Sequence, residues 1–253
     1  MKSVHVRFYA QLRDFLPPSA KIHGWAYEFA VHGSVKDMIE SCGVPHTEVD
    51  LILADGQPVD FDHRLQDGER ISVYPAFRSL NVSPVIHMRR QPLCNPQFIA
   101  DTHLGRLAAY LRMLGFDTLY RNDYEDEELA RISAREDRML LTRDSGLLMR
   151  VIVTRGHYLR ATTPREQVAE VLEEFDEMPP IQPFSRCMHC NAVLRSISKQ
   201  TISHRLLRET RQHYEEFFIC PECNRIYWKG SHYRRMQQFI ANILSVHNSQ
   251  RSP

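Results

Sequence analysis

The spacing of hydrophobic positions changes period along this chain. In VHVRFYAQL, residues 4–12, apolar and polar residues alternate, which places Val4, Val6 and Phe8 on one face and predicts a half-buried strand. WAYEFAV predicts a second strand. Ser34 then precedes Val35, Met38 and Ile39 at helical spacing, with Ser34 as N-cap and Gly43 at the stop. LILADGQPV and GERISVYPAF predict further strands around Asp-Gly turns. The stretch NVSPVIHMRRQPLCNP holds three prolines and no period, and reads as a linker over 81–97.

From residue 98 the pattern alternates between strands and helices. FIA is a short strand. Leu104, Leu107, Ala108, Leu111 and Leu114 follow on one helical face that ends at Gly115. FDTLY, RMLLT and HYLRAT predict strands, separated by helices over DEELARISARED and DSGLLMRVIVTRG and followed by PREQVAEVLEEF with Pro164 in its first turn. Such alternation implies right-handed crossovers and a mainly parallel sheet over 98–178. FDEMPPIQPF reads as a second linker. The remainder, 185–253, holds two CxxC pairs and a helix over SHYRRMQQFIANIL with Ser231 as its cap.

Composition is that of a globular protein, 43% hydrophobic and 25% charged. No run approaches a membrane span, and the start lacks a signal-peptide cleavage site, so no membrane partner and a cytoplasmic location are expected. The net charge of +1 conceals a segregation: residues 1–80 carry −3, residues 81–184 carry −3, and residues 185–253 carry +7. A polyanion partner is therefore expected for the C-terminal part alone.

Of six cysteines, Cys42 and Cys94 stand alone, while Cys187/Cys190 and Cys220/Cys223 form two pairs with 29 residues between them. Four thiolates in this pattern predict a closed tetrahedral zinc site with a structural role. Nearby His189, His204 and His213 are not needed as ligands. Arg205, Arg208, Arg211, Lys229, Arg234 and Arg235 interleave with aromatics such as Tyr214, Tyr227, Trp228 and Tyr233. Cations that follow phosphates beside rings that stack on bases suit single-stranded RNA, whereas the same rings can instead fill a small core around the metal.

Asp101 follows the first strand of the α/β segment and Asp144 the third, and parallel sheets bind ligands at the carboxyl ends of their strands. Glu128 lies in the first turn of the intervening helix, beside Asp126. Grouped carboxylates suit Mg or Mn, yet an Asp between strand and helix also serves as an N-cap; spacing does not choose between them. Phosphoacceptor and haloacid-dehalogenase-type folds are excluded, because they use a strand-end lysine and no lysine occurs between Lys36 and Lys199.

The β-β-α-β-β order of residues 1–80 resembles the ubiquitin-like β-grasp fold, especially its sulfur-carrier branch. Those carriers act through a terminal Gly-Gly, which YPAFRSL lacks, so a docking role with a protein partner is expected instead. FIADTHLGRLAAYLRMLGFDT, DEELARISAREDRMLLTRDSGLL and the double CxxC resemble the Mut-seven C-terminal RNase family. That resemblance covers nearly the whole chain and implies a PIN-like nuclease core followed by a zinc ribbon. It implies metal-binding catalytic roles for Asp101, Glu128 and Asp144, with Asp126 as a further candidate. Arg143, beside Asp144, is placed either to contact phosphate or to serve as an ordinary surface arginine. PIN nucleases usually carry a fourth acid after a later strand; VIVTRGHYLRATTP contains none. The expected function is metal-dependent RNA cleavage, the alternative a non-catalytic RNA-binding or ribosome-associated adaptor.

Overall fold

The computed structural model describes residues 1–30, 33–76, 95–174 and 181–249. The elements run β1 (Lys2–Phe8), β2 (Trp25–Phe29), α1 (Val35–Ser41), β3 (Leu51–Ala54), β4 (Gln57–Val59), β5 (Arg70–Tyr74), β6 (Gln97–Ala100), α2 (Gly105–Leu114), β7 (Asp117–Leu119), α3 (Asp126–Glu136), β8 (Met139–Thr142), α4 (Ser145–Leu148), β9 (Gly156–Tyr158), α5 (Pro164–Glu173), β10 (Arg195–Ile197), α6 (Lys199–Ile202), α7 (Arg208–His213), β11 (Phe217–Ile219), β12 (Ile226–Trp228) and α8 (Ser231–Ser249). By internal contacts the chain divides into two compact units, Met1–Pro92 with Glu125–Tyr158, and Leu93–Tyr124 with Leu159–Pro253.

In the first unit, the sheet order β2-β1-β5-β3-β4 has β1 and β5 parallel at its centre and hairpins on both sides. This is the ubiquitin-like β-grasp arrangement. The alternation of β1 buries Val4, Val6 and Phe8, which join Val35, Met38 and Ile39 of α1 in one core. Full burial of each such side chain contributes about 1.5–3 kcal/mol. Ser34 caps α1 in a reciprocal box with Asp37, and Gly43 leaves the helix at φ +88°. Asp55 and Gly56 both adopt positive φ in the β3–β4 turn, as a tight hairpin with right-handed strands requires. The first strand is shorter than its pattern suggests, since Ala10 turns to φ +47° and residues 10–15 wind into a 3-10 segment. Leu12 in that segment is fully buried.

The same unit holds α3 and the parallel pair β8–β9, in register Leu140↔Gly156 through Thr142↔Tyr158. The helix expected over residues 144–156 stops at Leu148. Val151, Ile152 and Val153 are β-branched and resist helix, and burial of Val153 beside exposed Val151 follows an irregular turn. Polar side chains tie this segment to the β-grasp. The Tyr158 amide donates to Glu48 Oε1 at 2.9 Å, and His157 Nδ1 lies 3.3 Å from the same carboxylate, with both side chains only 3% exposed. His46 bridges Glu40 Oε1 (2.7 Å) and the Val153 carbonyl (2.9 Å), and Phe15 meets Tyr158 edge-on at 4.9 Å.

In the second unit β6 and β7 pair in parallel, Phe98 opposite Thr118. Helix α2 packs on α5, and α5 on α8, with Tyr110 and Phe239 in ring contact at 4.5 Å. The strand expected over HYLRAT ends at Tyr158, because the amides of Arg160 and Ala161 donate to the two oxygens of Glu170, each at 2.9 Å. A helical carboxylate takes the place of a sheet ladder. The first linker lies outside the described residues except at 95–97, where Gln97 opens β6. The second, from residue 181, is bound to the end of α2: Gln182 and Phe184 amides donate to Leu114 and Met113 carbonyls. Gly115 permits this with φ +99°, and a Cβ there would sit 2.4 Å from the Gln182 oxygen. Strands β10-β11-β12 form a small antiparallel sheet. Ser231 is the first residue of α8 rather than its cap; the Arg234 amide reaches back to the Gly230 carbonyl.

Glu48→Ala removes the buried carboxylate that accepts from the Tyr158 amide and lies beside His157. It is expected to lower stability by roughly 3 kcal/mol, read as a reduced urea midpoint of the full chain.

Candidate metal centre and acidic positions

Each cysteine pair sits on a tight knuckle of the same construction. Asn191 and Asn224, the residues following CxxC, both adopt left-handed backbone at φ +76° and +57°. Each turn is closed by two bonds: Asn191 amide to Cys187 carbonyl and Cys187 amide to Ala192 carbonyl in the first, Asn224 to Cys220 and Cys220 to Arg225 in the second. Asparagine tolerates this region better than most side chains. The knuckles bring four sulfurs within 4.8 Å of one another, with Cys187–Cys223 at 3.6 Å and Cys190–Cys220 at 3.3 Å. Four ligands about 2.3 Å from a central zinc would lie about 3.8 Å apart, so the sulfur cage fits a tetrahedral thiophilic ion such as zinc. These are free thiols, too far apart to be disulfides.

The surroundings favour a thiolate at one corner. Burial opposes ionisation of Cys187, but the Tyr227 hydroxyl at 3.0 Å and the amides of Cys190 and His189 bring it down to about 6. Burial pushes Cys190 up to about 12 and also raises Cys223. Four adjacent sulfurs do not ionise together without a cation.

The first knuckle is fastened to β7 and α2 by residues that sequence reading passed over. Arg112, 3% exposed in the apolar face of α2, donates to the carbonyls of Thr118 (2.8 Å), Met188 (3.2 Å) and His189 (2.7 Å). Asn191 accepts from the Thr118 amide at 3.0 Å and donates to Asp117 at 2.8 Å. Arg186 reaches the Gly115 carbonyl and Asp117. Two signals were available: an arginine inside LAAYLRMLGF, and an asparagine after both CxxC pairs. His189, His204 and His213 are exposed and stand outside the four-sulfur group.

The acidic candidates occupy dissimilar settings. Asp101 ends β6, only 9% exposed, at the N-cap position of a 3-10 turn over 102–104, yet its side chain makes no capping bond and instead accepts from Thr102 Oγ1 at 3.1 Å. Asp144 follows β8, is exposed, and caps α4 by accepting from the Gly146 amide at 2.8 Å. Asp126 and Glu128 lie in the first turn of α3, which follows Glu125 at the cap position. Asp126 is 3.9 Å from Arg150, and half-buried Glu128 lines a hollow with Arg131 and Arg135. Asp101 belongs to one compact unit, and Asp126, Glu128 and Asp144 to the other. Among the described residues, the cysteines are the group gathered closely enough to share an ion.

The cationic candidates also differ. Arg143, Arg208, Arg211, Arg234 and Arg235 are exposed, whereas Arg205 donates to the Asn224 carbonyl and Lys229 pairs with Glu216. Trp228 is 38% exposed. Tyr227 is engaged with Cys187, and Tyr233 packs on Phe184 at 4.3 Å, so these two rings belong to internal packing.

Residues 96–240 match the family model for the Mut7-C RNAse domain, and residues 1–81 match that for the Mut7-C ubiquitin domain. A ubiquitin-like domain, parallel strand pairs and a ribbon-like cysteine cluster are thus found with an RNase-type domain. The first match spans more than half of the 253 residues, and the chain belongs to the Mut7-C family. No curated protein and no solved structure matches it.

Asn191→Gly keeps the left-handed turn but removes both side-chain bonds. Cobalt(II) titration, followed by thiolate absorption bands, is expected to show metal affinity reduced about 10–100-fold. Asn224→Gly, at the equivalent position of the other knuckle, leaves affinity nearly unchanged.

Proposed function

We propose that this protein is a metal-dependent ribonuclease. Its PIN-like core, residues 98–178, cleaves phosphodiester bonds, a zinc ribbon over 185–253 holds RNA, and the β-grasp over 1–80 docks a protein partner. The observation that carries the reading is Asp101: a buried carboxylate at a strand end, in a cap position without a capping bond, within the segment that matches the RNase family. Asp101, Glu128 and Asp144, with Asp126 beside them, offer hard oxygen donors suited to Mg or Mn. Such an ion supplies an activated water and stabilises charge on the leaving oxygen. Asp101, held by Thr102, provides a pre-oriented oxygen; Asp144 spends one oxygen on α4 and keeps the other for a ligand. Arg143, next in chain to Asp144, is suited to a substrate phosphate.

In the ribbon, Arg205, Arg208, Arg211, Lys229, Arg234, Arg235 and Trp228 contact RNA, with zinc at Cys187, Cys190, Cys220 and Cys223 as a structural ion. Free thiols fit the cytoplasm, and no described helix is long and apolar enough to cross a membrane. A second reading, an RNA-binding adaptor, is favoured by the capping use of Asp144 and by the absence of acids from residues 151–164.

Purified protein is expected to cleave single-stranded RNA with Mg or Mn, and Asp101→Asn or Asp144→Asn to slow the reaction at least about a hundredfold. No cleavage with either metal, or cleavage by both variants at the wild-type rate, overturns the nuclease reading. Elemental analysis is expected to find one zinc per chain.

A further inference from the structure

The β-grasp sheet has a second face, and its chemistry is distinctive. Alternation that buries Val4, Val6 and Phe8 sends His5 and Arg7 of β1 outward. On the neighbouring strand β5 the outward set is Arg70, Ser72 and Tyr74. Parallel pairing puts His5 opposite Arg70 and Arg7 opposite Ser72. With Tyr9, His23 and Gly24, the side chains of His5, Arg7, Arg70 and Ser72 line a cavity of about 320 Å³. No carboxylate lines it. Among the described residues, neither arginine forms an ion pair, although the domain around them is net acidic.

The cavity is built rather than incidental. Arg7 rests over the Tyr9 ring at 5.0 Å, and Tyr9 stacks on Tyr74 at 4.2 Å and 13°. That stack restrains a side chain which would otherwise lose rotamer freedom on binding. Burial opposes ionisation of Tyr9, yet hydroxyl contacts from Tyr74 and Ser72 and the charges of Arg7 and Arg70 lower its pKa below the ordinary tyrosine value. The local field is positive. Gly24 leaves room for the imidazole, since a Cβ there would lie 2.5 Å from His5 Nε2. Two guanidiniums and neighbouring hydroxyls, with no carboxylate in the lining, offer the charge and hydrogen-bond donors that suit a phosphate.

We propose that this face of the β-grasp binds a backbone phosphate of single-stranded RNA, held by Arg7 and Arg70 with Ser72 and Tyr9 as hydroxyl donors. It rests on the reading that the chain acts on RNA, and it gives the N-terminal domain a share in holding that RNA. The +7 ribbon, where charge is conspicuous, is then not the sole contact.

The test is fluorescence anisotropy of a labelled single-stranded RNA with full-length protein in buffer without Mg or Mn, so that cleavage plays no part. Arg7→Gln/Arg70→Gln is expected to weaken binding roughly tenfold and to flatten the slope of log affinity against log salt by about 1.4, or ~0.7 per lost contact. Arg13→Gln/Lys36→Gln removes the same charge outside the cavity and is expected to change the slope little. Circular dichroism melting checks that both variants fold. Wild-type affinity and slope in the Arg7/Arg70 variant, or an equal loss in the control, overturn the proposal and leave the nuclease reading intact. A wild-type protein that binds a polyglutamate peptide but not RNA also overturns it. RNA bound through Arg7 and Arg70 but never cleaved sinks the nuclease reading alone.

Discussion

The ribbon depends on four sulfurs being held together. Its strands are three residues each, too short to bury a core of their own, and 29 residues separate the two cysteine pairs. The restraint must come from the knuckles and whatever fastens them. Arg112 shows how this is done. A guanidinium in an apolar helix face carries a large desolvation cost, offset here by three carbonyls and by cysteine sulfurs nearby. Asn191 adds a bond to the edge of β7, so the first knuckle is continuous with the strand and helix it packs on. The metal centre and the α2–β7 turn form one structural element.

The two strand-end aspartates look alike in sequence and are used differently. Asp144 satisfies the Gly146 amide, and four helical residues follow. Asp101 has the cap position and no capping bond. A cap contributes about 0.5–2 kcal/mol, which is sufficient reason for an Asp at 144 but not at 101.

The β-grasp contributes through both faces. Its apolar face forms a continuous core with α1. Its edge, through Glu48 and His46, holds the β8–β9 segment by charged and polar groups that are nearly dry. Its polar face concentrates arginine and tyrosine where ordinary surface alternation would suffice for solubility. A domain lacking the terminal Gly-Gly of sulfur carriers thereby retains a surface with specific chemistry.

Sequence periodicity alone determined most elements. Val4/Val6/Phe8, the Ser34 cap, the α2 stripe ending at Gly115 and the two CxxC pairs each encode local geometry through period, cap or left-handed glycine, which neighbouring residues suffice to express. The departures have local and tertiary causes. The helix after Asp144 stopped where β-branched residues intervened, the strand after His157 ended because Glu170 from α5 captured its amides, and part of the second linker was held by α2 carbonyls. The last two outcomes depend on groups elsewhere in the chain, as do the partners of Arg112, Asn191 and Glu48. Spacing named the four thiols that gather and the acids at Asp101 and Asp144; only the tertiary structure decided which aspartate caps and which arginines share a cavity, because each requires a backbone position that local sequence does not fix.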